Sequence, residues 1–179
     1  AVIIVVDSLG YSLYNHFSPI MKNLSNIAEK GLLFRCKSPA TITSPAIASI
    51  FTGYLPEEHN IYSTMDIYTE RTKDSENPRL KSIMEWACRA GMKASAVIES
   101  EGAESFRGRI KEYYGVPNSE NILDYDLKIT NYALHALEEK PDILAVHLRT
   151  LDRSSHRAES WKELKKSAIA VDENLGKIY

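Results

Sequence analysis

Short apolar runs that alternate with helical patterns are the feature that most constrains how this chain can fold. Runs of five or six residues rich in β-branched side chains are typical of strands in a parallel sheet. The first run, residues 1–6, predicts a strand buried on both faces. Strands alternating with helices favour an α/β fold, a three-layer sandwich around a mostly parallel central sheet. The predicted strands are residues 1–6, 32–36, 94–98 and 143–148, and the predicted helices are residues 19–30, 43 or 44 to 53, 80–89, 127–139 and 161–179.

Two segments between these elements lack a clear pattern. Residues 57–79 are polar and highly charged, which predicts an excursion on the surface. Residues 99–121 mix charges with glycine and support no firm assignment. Because loops of this kind determine specificity in such folds, the sequence leaves the substrate open.

Composition excludes several classes of protein. A net charge of -2 and a pI near 6.2 provide no basic surface, so we expect no binding to duplex nucleic acid. With 179 residues, 44% of them hydrophobic, the chain can bury a core, and we expect one domain. The two cysteines show neither a disulfide framework nor a thiolate zinc pattern.

No apolar run approaches the ~20 residues that a membrane-spanning helix needs. No positively charged leader precedes the first apolar run. We therefore expect no membrane association, and the absence of a signal segment in this chain favours a soluble, cytoplasmic protein. The sequence does not determine the oligomeric state.

Chemically versatile side chains follow two of the predicted strands. Asp7 comes directly after residues 1–6, and Asp152 and His156 come shortly after residues 143–148. Because ligands bind at the carboxyl ends of parallel strands, we expect these side chains to meet at one edge of the sheet. An aspartate and a histidine at this spacing suit one divalent cation, although a turn aspartate and a solvated Asp–His pair are the simpler interpretation of each motif alone.

Thr43 lies at the start of the predicted helix that ends at Gly53. Its hydroxyl can cap the helix N-terminus. The same position also offers backbone N–H donors and a positive dipole end to a phosphate, and a hydroxyl beside a metal ion can ionise and attack phosphorus. Both roles stay open for Thr43.

Five motifs, in order along the chain, resemble the type I phosphodiesterase/nucleotide pyrophosphatase branch of the alkaline phosphatase superfamily. The most specific is a T-G-x-x-P-x-x-H element that ends at His59, which is not a metal ligand in the family. Three positions depart from the family pattern: Ser8 and Asn60 replace glycine, and Thr64 stands where the family has a phosphate-contacting asparagine. The motifs are VIIVVDSL at residues 2–9, TITSP at 41–45, SIFTGYLPEEH at 49–59, LDRSSH at 151–156 and VDENLG at 171–176.

The resemblance implies an alkaline-phosphatase-like fold and a hydrolase that acts on a small phosphoester. It also implies two divalent cations, commonly zinc, with manganese or magnesium as alternatives. Asp7 and Thr43 would hold one cation, and Asp152 and His156 would hold the other. Thr43 would be the catalytic nucleophile that forms a covalent phosphoryl intermediate, and Thr64 is a candidate for substrate binding.

Family members carry three further ligands, an Asp-His pair at a later strand end and a distant histidine, that this sequence lacks. We therefore expect residues 1–179 to be a single α/β domain that is an incomplete catalytic domain, without the C-terminal metal-ligand segment. A second chain that completes the site and a catalytically degenerate, non-enzymatic domain of the same fold are alternatives. A phosphomutase-like member of the superfamily, with Ser44 as nucleophile, is a further alternative.

The histidines outside these motifs have simpler interpretations. We expect His16 in the loop after the first strand, His135 on a helix and His147 within the strand at residues 143–148. There His147 would share a strand face with Ala145. It is interpreted as a half-buried side chain with its polar groups satisfied, and not as a ligand.

Overall fold

Four parallel strands form a sheet in the computed structural model, which describes residues 1–73, 76–157 and 160–179. The strands are β1 (Val2–Val6), β2 (Ala94–Glu99), β3 (Glu112–Val116) and β4 (Ile143–Leu148), in the spatial order β1-β4-β2-β3. The helices are α1 (Tyr11–Phe17), α2 (Lys22–Lys30), α3 (Thr43–Thr52), α4 (Pro56–His59), α5 (Thr64–Lys73), α6 (Ile83–Arg89), α7 (Ser100–Glu104), α8 (Ile122–Glu138), α9 (Thr150–Ser155) and α10 (Trp161–Ile178), with a 3₁₀ turn at Pro78–Leu80. Within the described ranges, none of the helices is long and apolar enough to cross a bilayer.

Helices cover both faces of the sheet because β4, which is buried throughout, is apolar on both sides. Leu144, Val146 and Leu148 belong to one core, together with residues of α8 and α10. Ile143 and Ala145 belong to a second core, together with residues of α3 and α6. This alternation produces three layers, so the predicted α/β fold with a parallel central sheet is confirmed.

β1 lies at an edge of the sheet, where β4 is its one partner among the described strands. Val2 is 44% exposed, and the rest of the strand is half-buried. Ile4 and Val6 contact one core, and Ile3 and Val5 contact the other. Both faces of the strand are therefore covered, as predicted, but its burial is partial because an edge strand has a neighbour on one side only.

The strand predicted at residues 32–36 does not form. Residues 32–38 have no regular secondary structure, and Leu32 and Phe34 are 83% and 77% exposed. An apolar run becomes a strand only where a neighbour completes its hydrogen-bond ladder, and no described strand pairs with this segment. This prediction was wrong.

The segment at residues 57–79 is more ordered than the sequence suggested. α4, α5 and the 3₁₀ turn occupy much of it, and His59 and Ile61 are buried. Residues 74 and 75 lie outside the described residues. Because α4 and α5 both contact α3, this segment forms a wall beside Thr43 as well as part of the surface.

Several elements were missed or misplaced. His16 lies in α1 and not in a loop. The unassigned residues 99–121 contain α7 and β3, which pack closely: a Cβ on Gly115 would lie 3.1 Å from Ser100 Cα. α8 begins at Ile122, earlier than predicted.

The VDENLG motif joins α10 to α2. Asp172 is buried and accepts hydrogen bonds from the backbone N–H groups of Asn23 and Leu24, at 3.1 and 2.8 Å. Gly176, one turn later, lets α2 approach, because a Cβ at this position would lie 2.5 Å from Asn23 Cγ. Capping of α2 and close helix packing therefore account for this motif.

Candidate active site

The carboxyl ends of β1 and β4 place the predicted site residues side by side. The two strands pair with Val6 opposite Leu148, so Asp7 and Arg149 follow neighbouring strands at the same edge. The Asp7 N–H donates to Leu148 O at 2.9 Å and extends the ladder to that edge. Asp152 follows in α9. The structure thus brings Asp7 and Asp152 together at the carboxyl end of the parallel strands, as expected.

Thr43 is the first residue of α3, and its Oγ1 donates a hydrogen bond to Asp7 Oδ2 at 3.3 Å. The N-cap position belongs to Ile42, whose side chain makes no capping bond. The capping role considered for Thr43 was therefore wrong, and its hydroxyl is directed to Asp7 instead. Gly53 ends the helix, as predicted, and adopts the left-handed conformation.

α9 presents Asp152 and His156 as a pair. Asp152 Oδ1 lies 3.5 Å from His156 Nε2. Asp152 is buried, whereas the His156 side chain is 77% exposed. Asp152 lies in this short helix and His156 is its C-cap, which is the reason that these residues, four apart, share a face.

Ser8 links the two halves of the site. Its Oγ donates a hydrogen bond to Asp152 Oδ1 at 2.8 Å, and its backbone has a φ of 62°. Glycine adopts this conformation without strain, whereas serine does not. One cleft of about 640 Å³ is bordered by Asp7, Ser8, Thr43, Asp152 and His156.

Two ionisable side chains that were not predicted as site residues lie beside its carboxylates, and a third, Glu99, contacts one of them. His147 Nε2 is 3.3 Å from Asp7 Oδ2. Arg149 Nε is 3.8 Å from Asp7 Oδ2, and Arg149 Nη2 is 3.7 Å from Asp152 Oδ2. Arg149 Nη1 also contacts Glu99 Oε2. One signal could have found Arg149: it follows His147 by two positions at the end of a strand, so both side chains project from the same face.

His147 differs from its interpretation as a satisfied side chain. It shares a face with Ala145, as predicted, and both border a smaller, mainly apolar cavity behind Thr43. However, His147 is buried, and its Nε2 has no well-aligned hydrogen-bond partner among the described residues. The prediction of a half-buried side chain with its polar groups satisfied was therefore wrong, because Nε2 is buried next to Asp7 without a well-aligned hydrogen bond in the described part of the chain.

The surroundings of Asp7 keep its carboxylate ionised. Burial alone would raise the pKa of Asp7, but the contact with His147, the charge of Arg149 and the hydrogen bond from Thr43 outweigh burial and lower this pKa from its ordinary value of 3.8. Asp7 is therefore an anion at neutral pH. This is the form that a divalent cation binds.

Donor distances within each pair fit a divalent cation. Two ligands of a tetrahedral zinc ion with bonds of about 2.0–2.2 Å lie roughly 3.3–3.6 Å apart. The Asp7–Thr43 and Asp152–His156 pairs are separated by 3.3 and 3.5 Å. The described residues contain no cluster of three or more His, Cys, Asp or Glu side chains that could hold a metal ion. Each pair therefore fits as part of a larger ligand set.

Thr64 lies on the opposite side of the α3 N-terminus. Thr64 Oγ1 and Ser44 Oγ are 2.8 Å apart, and both border the smaller cavity, of about 100 Å³, which Thr43 also borders. Ser44 and Thr64 are not among the described residues that border the main cleft. The structure thus brings Thr64 close to Thr43 but not to Asp152 or His156.

His59 ties α4 to α3. It is buried, its Nε2 lies 3.0 Å from Ser49 Oγ, and its Nδ1 accepts the Ile61 N–H at 3.0 Å. Because Nδ1 is an acceptor, a neutral ring carries its proton on Nε2 and donates it to Ser49. The histidine of the helix-end motif therefore anchors the helix that presents Thr43.

A family model and two solved structures match the chain. The model of the family described as type I phosphodiesterase/nucleotide pyrophosphatase matches residues 1–179. Two crystal structures of phosphonoacetate hydrolase from Sinorhizobium meliloti 1021, in complex with phosphonoformate and with phosphonoacetate, resemble the chain with a TM-score of 0.63 and 17% sequence identity. Each match covers 99% of this chain and 52% of the hydrolase chain. This chain therefore spans about half the length of those structures. No curated protein matches significantly. The chain belongs to the type I phosphodiesterase/nucleotide pyrophosphatase family.

Proposed function

We propose that this chain forms the nucleophile-bearing part of a metal-dependent phosphoester hydrolase of the phosphodiesterase/nucleotide pyrophosphatase type. The observation that carries the proposal is the hydrogen bond from Thr43 Oγ1, in the first turn of a helix, to Asp7 Oδ2 at a strand end. Family membership supports this reaction class. Because the chain spans about half the length of the similar structures, the activity of the whole protein is part of the proposal.

α3 offers donors for phosphoryl oxygens. The first N–H groups of a helix have no intrahelical acceptor, and the helix dipole favours an anion there. In α3 these groups belong to Thr43 and Ser44, because Pro45 has no N–H and the Ala46 N–H donates to Ile42 O at 3.2 Å. A phosphoryl group beside Thr43 would accept hydrogen bonds from both.

The charge of the site supports a need for metal cations. Asp7, Glu99 and Asp152 contribute three carboxylates, and Arg149 is the cation that contacts all three among the described residues. A phosphoester anion would meet an excess of negative charge. Bound divalent cations would reverse the sign of that charge.

Two divalent cations are proposed, one at Asp7 and Thr43 and the other at Asp152 and His156. Zinc suits these oxygen and nitrogen donors, and manganese or magnesium are alternatives. When bound, the metal ions neutralise phosphoryl charge and favour ionisation of the nucleophile.

The remaining ligands are proposed to come from residues outside positions 1–179, which would make this domain an incomplete catalytic domain. Sequencing the gene beyond Tyr179 tests this idea. An Asp-His pair at a later strand end, followed by a distant histidine, would support it. Their absence would favour a second chain or a non-enzymatic domain.

Thr43 is the proposed nucleophile. Asp7 Oδ2 orients the hydroxyl, whose proton leaves through this carboxylate to solvent. Thr43 Oγ1 then bonds to phosphorus as the bond between phosphorus and the leaving oxygen breaks, and the leaving group takes a proton from solvent. Water hydrolyses the phosphothreonine, and Thr43 Oγ1 regains a proton.

Ser44 is the nucleophile in the phosphomutase-like alternative. Its hydroxyl interacts with Thr64 and borders the smaller cavity, on the side away from Asp152 and His156. This placement supports Thr43 over Ser44. Thr64, through its contact with Ser44, is proposed to border the substrate rather than the metal ions.

Hydrolysis of a chromogenic phosphodiester by the full-length protein, in the presence of zinc, tests the assignment. We expect Thr43→Ala to lose activity on the order of 10³-fold or more, and Ser44→Ala to stay within a few-fold of the parent protein. Thermal unfolding of both variants controls for folding. Full activity of Thr43→Ala would overturn the nucleophile assignment.

A second assay with phosphonoacetate, the compound bound in one of the similar structures, distinguishes a phosphoester from a phosphonate substrate. Calorimetric titration with zinc or manganese tests the metal centre directly. Absence of binding to the 179-residue chain would favour the non-enzymatic alternative or a site that other residues must complete.

A further inference from the structure

The guanidinium of Arg149 lies where it neutralises the two carboxylates proposed as metal ligands. Its Nε faces Asp7 Oδ2 at 3.8 Å, and its Nη2 faces Asp152 Oδ2 at 3.7 Å. Its third nitrogen, Nη1, contacts Glu99 Oε2. One side chain thus contacts three carboxylates through three different nitrogens.

These three contacts are unequal. The distances to Asp7 and Asp152 exceed the range of a hydrogen bond, and the buried Nε of Arg149 has no hydrogen-bond partner among the described residues. Arg149 Nη1 forms an ion pair with Glu99 Oε2. Arg149 is therefore anchored at Glu99 and is held at the two aspartates by charge alone.

The sheet explains why Glu99 can serve as this anchor. Glu99 is the last residue of β2, and Arg149 directly follows β4. β2 and β4 are paired neighbours, so their carboxyl ends lie together. Arg149 can keep its contact with Glu99 while its other nitrogens move away from Asp7 and Asp152.

We propose that Arg149 is a resident counter-ion of the metal centre, which competes with a divalent cation for Asp7 and Asp152 and withdraws onto Glu99 when the cation binds. The inference rests on the proposed metal centre and adds a determinant of its affinity. An arginine cannot lose its charge by deprotonation in a protein, so movement is the way in which it can make room for a second cation.

Calorimetric titration of zinc into the chelator-treated 179-residue chain tests the inference. We expect Arg149→Met and Arg149→Gln to bind zinc roughly tenfold more tightly, or more, because a positive charge that competes with the cation for Asp7 and Asp152 is removed. Arg149→Lys keeps the charge and should stay near the parent affinity. A substitution that only damaged the fold would weaken zinc binding, which is the opposite of the expected change.

Arg153→Met is the matched control. Arg153 lies on the same helix, but its guanidinium lies over the Tyr125 ring, 5.1 Å from the centroid, and its Nη2 donates to Ser119 O. Its removal should leave zinc affinity nearly unchanged. A gain in zinc affinity as large as that of Arg149→Met would overturn the inference. Loss of any positively charged side chain would then have the same effect.

Glu99→Gln tests the anchor. It should weaken zinc binding in the parent chain, because Arg149 is then left with Asp7 and Asp152, and should have a much smaller effect in the Arg149→Met background. Equal effects in both backgrounds would overturn the displacement of Arg149 onto Glu99.

Two failures can be told apart. If the parent chain and Arg149→Lys bind zinc but Arg149→Met and Arg149→Gln bind it no more tightly, the counter-ion role is wrong and the metal centre stands. If none of the variants binds zinc, the proposed metal centre fails for this chain and the inference fails with it.

Discussion

Ser8 Oγ donates a hydrogen bond of 2.8 Å to Asp152 Oδ1, which joins the end of β1 to α9 across 144 positions of the sequence. Ser8→Ala removes the donor and keeps a Cβ at a φ of 62°. We expect it to lower the free energy of unfolding by about 1–2 kcal/mol, as measured by urea denaturation. Ser8→Gly loses the same bond but relieves the left-handed backbone, so its loss should be smaller. Equal losses would show that the backbone conformation at Ser8 carries no strain.

Gly176→Ala tests the packing of α10 on α2. A Cβ at Gly176 would lie 2.5 Å from Asn23 Cγ, so the Asn23 side chain or α2 must shift. We expect overpacking to lower the free energy of unfolding by about 1–3 kcal/mol. Gly10→Ala is the control, because a Cβ at Gly10 would meet no atom within 4 Å. Similar denaturation midpoints for the two variants would contradict this account of the motif.

The elements that sequence patterns predicted best are those whose burial is uniform. β4 is buried at every position, and its five apolar residues, interrupted by His147 alone, predict a strand without tertiary information. β3 was missed because its EYYGV sequence is half-buried and contains a glycine, so its pattern is weak. The false strand at residues 32–36 failed for the opposite reason. Its composition suits a strand, but pairing depends on a neighbour that composition does not reveal.

The residues of the candidate site also differ in how well sequence patterns predict them. Asp7 and Asp152 were found because they follow strand ends, a position that sequence patterns locate. Arg149 and Glu99 were missed because a charged residue after a strand is most often solvated, and their contact joins positions far apart in the chain. Only the pairing of β2 with β4 brings Glu99 and Arg149 together.

The burial of His59 should make the free energy of unfolding depend on pH. Burial lowers the pKa of His59 below its ordinary value of 6.5, so the unfolded chain takes up a proton at a pH at which the folded chain does not. This contribution to stability is fully present above about pH 6.5 and is lost as the pH falls towards the folded-state pKa. His59→Gln should flatten the change in free energy of unfolding between about pH 7 and pH 5. His135→Gln, at an exposed position of α8, is the matched variant, and a slope as steep in His59→Gln as in His135→Gln would contradict this account.

Asp126 fixes the turn that leads from β4 into α9. This buried side chain accepts the backbone N–H groups of Arg149 and Thr150, at 2.8 and 3.0 Å. Thr150 Oγ1 in turn donates to Ile122 O, so α8 holds the start of the segment that carries Asp152. The support is therefore remote in sequence from the residues that it positions.

Asp126→Asn tests this support. An amide can accept through one atom only, so one of the two N–H groups loses its partner and meets a donor. We expect a loss of about 1–3 kcal/mol in the free energy of unfolding and weaker zinc binding in calorimetry, because the turn before Asp152 is no longer held. Asp124→Asn, at an exposed position of the same helix, should change both quantities much less. If Asp126→Asn lowers stability but leaves zinc affinity at the parent value, the buried carboxylate stabilises the fold without positioning Asp152.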